Sequence, residues 1–491
     1  MNQHHRLPTC APEEKGIPSS SIIAFIQEIE RRGLELHGFM LLRHGHVVAK
    51  GWWVPYRPEI PHLAYSLTKS FTSTAVGFAV HEGFLATEDD VLPYFPEIRS
   101  PEILENMRNL KIKHLLTMTT GHAVDTAEFG VTKEFLRHRP DIRIGGKDER
   151  DYVRGFFESR LAHPPGTFFV YNSGASHVLG AIVERTTGMP LVEYLQPRLF
   201  APLGIEKPAW DSVPAGGQIG GWGLRLTTED VARFGQFLLQ RGSWNGQSVL
   251  PSYWIDEATS WHVDNADSPQ EGVADWKQGY GYQFWRCRHN AYRGDGAFGQ
   301  FCIVMPEQDA VLAVHGGLSD MQGVLDAVWE RLLPAMKEHP LEANPFDQDL
   351  LARTLDELQL DRTSPSAEAG WAGTRTYTME SNPQGILEIR ISFSTDERCT
   401  LEWSDGNGTY QVSCAINRWT AAEGADGTSI AAKGRWVDGK TFALHMYPTD
   451  SPHYDKLVFH FEDARVHIRH EHLNFVTLRH DFRGAVTVRE E

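Results

Sequence analysis

From Trp371 to the end of the chain, the sequence is a succession of short strand-like segments separated by tight-turn dipeptides. Segments such as ILEIRISF and KLVFHFED alternate apolar and polar residues with the period of two that a half-buried strand requires. The dipeptides Asp405-Gly406 and Asp438-Gly439 favour two-residue hairpin turns. Strands joined by hairpins at this spacing are typical of a small closed barrel. We therefore predict an antiparallel β-barrel domain over residues 371–491.

The chain before about residue 335 is organised differently, because helices and strands are interspersed there. Strand-like runs near both ends of this region enclose a series of helices, which indicates one antiparallel sheet with a helical lobe and hence an α+β fold. We predict a first domain over 1–337 and a polar, proline-containing linker over 338–370. The predicted helices cover 21–33, 67–83, 174–188, 228–241 and 321–337, and the predicted strands lie within 38–53, 281–287, 299–305 and 310–315.

Length and charge narrow the classes of function. The 491 residues are too many for one ordinary hydrophobic core, so at least two domains are expected. The formal net charge of −17 argues against a protein that binds the nucleic-acid backbone or docks on anionic membranes. It favours a protein that acts on small or neutral substrates, although net charge does not identify a substrate.

Cysteine usage and the N-terminus bear on the compartment. The five cysteines are scattered and contain no C-x-x-C pair, so we expect free thiols in a reducing environment. The first residues lack the apolar stretch of a secretory signal, and no run approaches the ~18 apolar residues that span a bilayer. A cytoplasmic location is therefore expected.

The segment Ser66-Leu67-Thr68-Lys69 carries the first candidate chemistry. A serine at the start of a helix and a lysine three residues later lie on one helical face, which places the amine beside the hydroxyl. The positive end of the helix dipole would favour the alkoxide and the later oxyanion. Taken alone, S-x-x-K is a weak signal. Here the helix that follows is rich in small and apolar residues, so a lysine at its buried start requires an explanation.

This segment resembles the active-site helix of the class C β-lactamases and penicillin-binding-protein-like serine hydrolases, a group with D-alanyl-D-alanine carboxypeptidases, family VIII esterases, D-aminopeptidases and nylon-oligomer hydrolases. The flanking LLRHGHVVAKGWW and IKHLLTMTTG also resemble family segments. The resemblance spans about residues 10–335. It implies a β-lactamase/transpeptidase-like domain with Ser66 as nucleophile, Lys69 as part of the general base and no cofactor.

The segment 165–173, PGTFFVYNS, resembles the tyrosine loop of the same family and places Tyr171 on the catalytic tyrosine. A phenol has a pKa of ~10, and a neighbouring cationic lysine favours the phenolate, so Lys69 and Tyr171 are expected to share the role of base. The family's asparagine is expected two places after the tyrosine, where this chain has Ser173, whereas Asn172 lies one place after it. Either side chain could bind Lys69 or a substrate amide.

The third family motif, K-T-G or H-x-G on an edge strand, is the least well matched. The corresponding stretch is Gly294-Asp295-Gly296, followed by Ala297, with no lysine or histidine in the box. The resemblance implies that Gly296 and Ala297 line the site, with the Ala297 N–H and the Ser66 N–H as oxyanion donors. Arg293 is an alternative source of the missing positive charge. Without such a charge, we expect poor recognition of β-lactams and peptide carboxylates.

Two other features are interpreted as structural. His467, His470 and His472 lie in RVHIRHEH without a closed set of ligands, so they are interpreted as solvated or stacked barrel histidines and no metal site is predicted. The glycine-rich run 216–223 lacks the lysine of a phosphate loop and is expected to shape a turn before the helix at 228.

The sequence therefore predicts a serine hydrolase that cleaves small esters or amides through an acyl-enzyme on Ser66. An acyltransferase or cyclising peptidase of the penicillin-binding-protein type is the catalytic alternative, and its members also carry a lipocalin-like barrel. A protein that only binds ligand is the non-catalytic alternative. The barrel at 371–491 is expected either to narrow access to the site or to support a possible homodimer. No nucleic-acid or membrane partner is expected.

Overall fold

The chain forms two compact units in the computed structural model. The N-terminal unit comprises Met1–Trp52 and Pro58–Glu357, and the C-terminal unit comprises Trp53–Arg57 and Leu358–Glu491. The structure describes residues 7–98, 100–129, 152–213, 217–266, 274–361, 367, 370–394, 397–423, 429–473 and 477–490.

The N-terminal unit contains a six-stranded antiparallel sheet in the order β2-β1-β11-β10-β9-β8. The two ends of the unit meet in this sheet, because the first hairpin pairs with β11 near the end of the unit. Strands β1, β10 and β11 are buried along their whole length, which explains why they are almost continuously apolar. The strands of the sheet are β1 Leu36–Arg43, β2 His46–Trp52, β8 Trp285–Arg286, β9 Tyr292–Gly296, β10 Gln300–Met305 and β11 Ala310–Gly316, and the short pairs are β3 His62–Leu63, β4 Ala209–Trp210, β5 Leu224–Leu226, β6 Ser243–Trp244 and β7 Gln247–Ser248.

A helix at Thr68–His81, the central helix, lies in the core of this unit. Its residues from Thr68 to Ala79 are buried on every face, so it is not an amphipathic surface helix. Gly77 allows close packing, because a Cβ there would lie 2.3 Å from the Trp254 indole nitrogen. The other α-helices described are Ser19–Arg31, Pro101–Met107, Ile112–Leu116, Tyr152–Glu158, Ser173–Thr187, Leu191–Leu195, Ala201–Leu203, Thr228–Leu239, Ser252–Thr259, Met321–Ala327 and Pro345–Asp356.

The predicted α+β fold is confirmed, and two segments differ from their prediction. In 281–287 only Trp285–Arg286 pairs as a strand, because Gln283 adopts a positive φ of 65° and donates its amide to the carbonyls of Leu115 and Leu116. The predicted helix 321–337 is regular only to Ala327 and continues as a π turn and a 3₁₀ turn.

The C-terminal unit is an antiparallel barrel, which confirms the predicted β-barrel. Nine strands close in the order β15-β14-β13-β12-β21-β20-β19-β18-β17, with a parallel pairing between β15 and β17 and with β16 beside β17. Its interior is filled by large apolar side chains such as Trp436, Phe442 and Tyr377. The strands are β12 Gly373–Met379, β13 Glu388–Ser394, β14 Arg398–Ser404, β15 Thr409–Ile416, β16 Thr420–Glu423, β17 Ser429–Asp438, β18 Thr441–Pro448, β19 Tyr454–Phe461, β20 Arg465–Leu473 and β21 Thr477–Glu490.

The C-terminal unit also includes a short segment from early in the chain, Trp53–Arg57. The Val54 N–H donates to the Leu358 carbonyl at 3.1 Å, and the Leu360 N–H donates to the Val54 carbonyl at 2.8 Å. The Tyr56 hydroxyl reaches the Ser451 carbonyl at 3.2 Å. The polar stretch predicted as a linker at 338–370 contains the helix Pro345–Asp356 of the N-terminal unit, and part of it lies outside the described residues.

The state of the cysteines and the character of the helices bear on the predicted compartment. All five cysteines are free thiols. Within the described ranges, no helix combines the length and the apolar character that crossing a bilayer requires.

Candidate active site

Ser66 lies at the beginning of the central helix, in a 3₁₀ turn at Tyr65–Leu67. The preceding Tyr65 has a positive φ of 46°, an uncommon conformation for a large side chain. Its ring packs edge-on against Phe298, with centroids 5.4 Å apart, and this contact helps to hold the turn. Ser66 is partly exposed whereas both of its neighbours are buried. The turn therefore presents one hydroxyl to solvent at the end of a buried helix.

Lys69 is the buried amine beside this hydroxyl. Its side chain is only 1% exposed, and Nζ lies 2.8 Å from Ser66 Oγ and 2.8 Å from the Gly221 carbonyl oxygen. Burial lowers the pKa of Lys69 to about 8, against the opposing negative charges of Asp125 and Asp295. A neutral amine is therefore accessible near neutral pH, and a neutral amine can accept the serine proton.

The Tyr171 hydroxyl hydrogen-bonds with Ser66, and Lys69 Nζ lies 4.8 Å from the centre of the tyrosine ring. The ring stacks on Trp285 with centroids 5.4 Å apart and an interplanar angle of 19°. Burial, followed by the charge of Asp295, raises the pKa of Tyr171 well above its usual value of 10.0. The direction of this shift disfavours the expected phenolate, because desolvation outweighs the hydrogen bond with Ser66 and the charge of Arg293, which act in the opposite direction. The group beside Ser66 is a phenol.

Asn172 and Ser173, the two alternatives for the family's asparagine, have different surroundings. Asn172 is the N-cap of the helix Ser173–Thr187, and its Oδ1 accepts hydrogen bonds from the N–H groups of Gly174 and Ala175 and from Thr126. Its side chain is thus committed to capping rather than to Lys69, although Nδ2 has no hydrogen-bond partner among the described residues. Ser173 is partly exposed, and its N–H donates to Asp125 Oδ1 at 2.8 Å.

Two groups close to Lys69 were not singled out from the sequence. Gly221 belongs to the glycine-rich run, and a Cβ there would lie 2.8 Å from the Ser173 carbonyl, so only glycine brings its own carbonyl close enough to accept from Lys69. Asp125 follows the IKHLLTMTTG segment by four residues and bonds the Ser173 and Ala127 N–H groups. Neither shows a recognisable spacing in sequence, because each reaches the site through tertiary packing.

Strand β9 forms the wall of the site opposite the tyrosine. A Cβ on Gly296 would lie 3.0 Å from the Ser66 backbone nitrogen, so the end of β9 is directly beside Ser66. A Cβ on Gly294 would lie 2.5 Å from Ser70 Oγ, which explains the need for glycine there. Ala297 is the first residue of the turn after β9 and is partly exposed. The structure therefore brings Gly296 next to Ser66, and Ala297 follows Gly296 directly in the chain.

Arg293 and Asp295, the charged residues in and beside the third motif, have buried side chains. Arg293 is fully buried, and its Nε lies 2.8 Å from Asp295 Oδ2. Its Nη1 is bound to the Asp275 carbonyl and to Cys287 Sγ, and its guanidinium lies 4.1 Å from the centre of the Trp276 ring. Arg293 is thus engaged in a buried ion pair and does not supply the cation that is missing from the box.

Asp295 connects this ion pair with Lys69 and Tyr171. Burial raises its pKa, whereas Arg293 and Lys69 act in the opposite direction, and the Trp285 side chain is hydrogen-bonded to it. Trp285 in turn stacks on Tyr171. Asp295 therefore helps to hold Trp285, on which Tyr171 stacks, and it is one of two carboxylates whose charge raises the pKa of Lys69.

The sequence of this chain is similar to those of known hydrolases and matches one family profile. The Beta-lactamase family profile matches residues 24–320. Over 329 residues the chain is 26% identical to the 6-aminohexanoate-dimer hydrolase of Paenarthrobacter ureafaciens, covering 62% of this chain and 81% of that protein. It is 32% identical to Esterase EstB of Burkholderia gladioli over 172 residues, which are 34% of this chain and 43% of the esterase.

Solved structures extend the likeness to the fold. A Bacillus anthracis protein provisionally assigned as a 6-aminohexanoate-dimer hydrolase superposes with a TM-score of 0.53 at 20% identity, covering 67% of this chain and 87% of its own. The structure of SurE with D-Leu superposes with a TM-score of 0.50 at 18% identity, covering 88% of this chain and 97% of its own. At these identities the likeness concerns the fold alone.

Proposed function

This chain belongs to the beta-lactamase family, and from that premise we propose that it is a serine hydrolase that cleaves small, uncharged esters or amides through an acyl-enzyme on Ser66. The observation that supports the proposal is the Lys69 amine, 1% exposed, with a pKa lowered to about 8, and 2.8 Å from Ser66 Oγ. A buried amine at that place has no evident structural purpose, because burying a charge destabilises the fold.

The acylation step follows from the three side chains. Neutral Lys69 accepts the Ser66 proton while Oγ attacks the substrate carbonyl carbon, and the carbonyl π electrons move onto oxygen. The N–H groups of Ser66 and Ala297 are the proposed donors to that oxyanion. The tetrahedral intermediate then collapses and the bond to the leaving alcohol or amine breaks. The leaving group must receive a proton as it departs.

Tyr171 is the proposed donor of that proton. Its phenol stays protonated at neutral pH and hydrogen-bonds with Ser66, so the proton is already next to the reacting atom. The Lys69 ammonium can then return a proton to the phenolate, which restores both groups. In deacylation, water attacks the acyl carbonyl carbon and gives a proton to Lys69; the bond between that carbon and Ser66 Oγ then breaks, the carboxylic acid departs, and the Lys69 ammonium returns the proton to Ser66 Oγ.

The preference for uncharged substrates is proposed from the third motif. A substrate carboxylate next to the scissile bond needs a cationic partner, and the only arginine of this strand is buried against Asp295. The two curated relatives are named as a 6-aminohexanoate-dimer hydrolase and as an esterase. These names support an ester or amide substrate for this chain without specifying the acyl group.

A direct comparison of two substrates tests this function. We expect kcat/KM for p-nitrophenyl butyrate to exceed that for nitrocefin by about 10- to 100-fold, since a hydrogen bond to a charged group contributes about 1.5–3 kcal/mol. Both rates are measured on one preparation, with Ser66→Ala as the blank for uncatalysed hydrolysis. A higher value for nitrocefin would refute the substrate class, and no turnover of any ester or amide would refute the hydrolase.

The pH dependence tests Lys69 as base. Lys69 acts only when deprotonated, so log(kcat/KM) for an ester should rise with a slope of about one at low pH and level off above its pKa of about 8. Tyr171 should add no falling limb just above that plateau, because its pKa is raised well above 10.0. Product is quantified by chromatography, because the p-nitrophenol signal itself depends on pH.

Asp125→Asn is the matched variant for this profile. The amide keeps an oxygen for the Ser173 and Ala127 N–H groups but removes the negative charge that raises the pKa of Lys69. The midpoint should therefore move to lower pH. A profile that is flat across the wild-type midpoint, or a midpoint that moves upward in the variant, would contradict Lys69 as the base.

A further inference from the structure

Polar side chains replace apolar ones at one end of the barrel interior. On β20, Val466 and Ile468 belong to the buried core, and His470 and His472 follow them with a period of two on the same face. On β19, Phe459 belongs to the same core, and Asp455 lies on its face near the start of the strand. The histidines therefore point along the inner wall, not into bulk solvent.

The register between the two strands brings these three side chains together. Asp455 lies directly opposite His472 in the antiparallel pairing. His470 Nε2 is 2.6 Å from Asp455 Oδ1, and His472 Nδ1 is 2.9 Å from the same oxygen. One ligand atom from each residue can be chosen so that all three lie within 4.8 Å of one another. Two imidazole nitrogens and a carboxylate oxygen thus converge on one small volume.

The next strand adds a third imidazole beside this volume. His480 on β21 is paired directly with His470, and their ring centroids are 6.3 Å apart. It lies two residues before Phe482, which faces the core, so it shares the inner face.

The carboxylate of Asp455 is open to solvent and lies within hydrogen-bond distance of both His470 and His472. Its side chain is 28% exposed, which leaves a path for an ion from solution. An apolar barrel end closed by a leucine or a valine would be more stable than one that buries imidazoles, so the cluster calls for a ligand.

We propose that Asp455, His470 and His472 bind a divalent transition-metal ion of the Zn²⁺ type, with water completing its coordination. A set of two nitrogens and one oxygen suits Zn²⁺ and its neighbours in the first transition row, whereas Mg²⁺ and Ca²⁺ prefer oxygen alone. Bonds of about 2.0–2.2 Å in a tetrahedral arrangement need ligand atoms roughly 3.3 Å apart. The present N–O separations of 2.6 and 2.9 Å reach that value by small rotations of the side chains.

Equilibrium dialysis of the chelator-treated full-length protein, followed by metal analysis, tests the site. We expect one Zn²⁺ per chain and no retained Mg²⁺. His470→Ala and Asp455→Asn should each weaken Zn²⁺ binding by at least ~10-fold, as even the loss of an outer partner of a ligand does. His467→Ala is the matched control, because His467 is on the same strand but faces outward to Asp481, and it should bind as the wild type does.

Two further measurements distinguish a loss of metal binding from a loss of folding. Far-UV circular dichroism of each variant without metal shows whether it retains the barrel, and Co²⁺ added to the wild type should give visible d–d bands that His470→Ala abolishes. The proposal is overturned if the folded wild type retains no Zn²⁺, or if the folded His470→Ala and Asp455→Asn proteins bind Zn²⁺ as tightly as the His467→Ala control.

Discussion

Ser66→Ala is expected to lower kcat for p-nitrophenyl butyrate by at least ~10⁴-fold, because an acyl-enzyme cannot form without Oγ and only binding and oxyanion contacts remain. The hydroxyl is partly exposed and its partners are the Lys69 amine and Tyr171, so its loss leaves the buried core intact. The melting temperature should therefore change little. Labelling by a fluorophosphonate, detected as a mass increase on the peptide that carries residue 66, should disappear in the same variant.

Ser73→Ala is the matched control for this experiment. Ser73 is fully buried in the same helix, and its hydroxyl has no hydrogen-bond partner within the part of the chain that the structure describes. Its removal should leave both turnover and labelling at the wild-type level. Turnover by Ser66→Ala at a rate near that of the wild type, or a fluorophosphonate adduct on another serine, would show that the nucleophile is elsewhere.

Lys69→Met and Tyr171→Phe are each expected to reduce kcat by about 10³-fold or more, and the double variant should lose scarcely more than either alone. The physical reason is that Lys69 and Tyr171 are each hydrogen-bonded with Ser66 and serve one proton relay from Ser66 to the leaving group, so breaking the relay once stops the transfer. The four proteins form a double-mutant cycle measured with one ester under saturating conditions.

Losses that multiply in the double variant would contradict a proton relay that runs from Ser66 through Lys69 and Tyr171 to the leaving group. The comparison requires folded proteins, and methionine is chosen because it keeps the length of the buried lysine without its charge. Phenylalanine likewise keeps the stacking of residue 171 on Trp285.

Local sequence determined the secondary-structure elements and the first pair of proposed catalytic groups. The helix Ser173–Thr187 ends at Gly188, whose positive φ of 71° terminates it, and Thr227 caps the next predicted helix through the Asp230 N–H. Ser66 and Lys69 are neighbours because three residues make about one turn of helix, so their contact of 2.8 Å follows from spacing alone. The period of two likewise predicted the barrel strands, since alternation is a property of each strand by itself.

Tertiary structure decided what these residues can do. The pKa of Lys69 depends on burial and on Asp125 and Asp295, which come from distant parts of the chain. The protonated state of Tyr171 follows from the same desolvation, against the expectation that a nearby amine would ionise it. The Asp455 cluster depends on the register between β19 and β20, which pairs residues 17 positions apart. Spacing along one chain segment sets which side chains share a face, but only packing sets their solvent, their partners from other segments and therefore their charge.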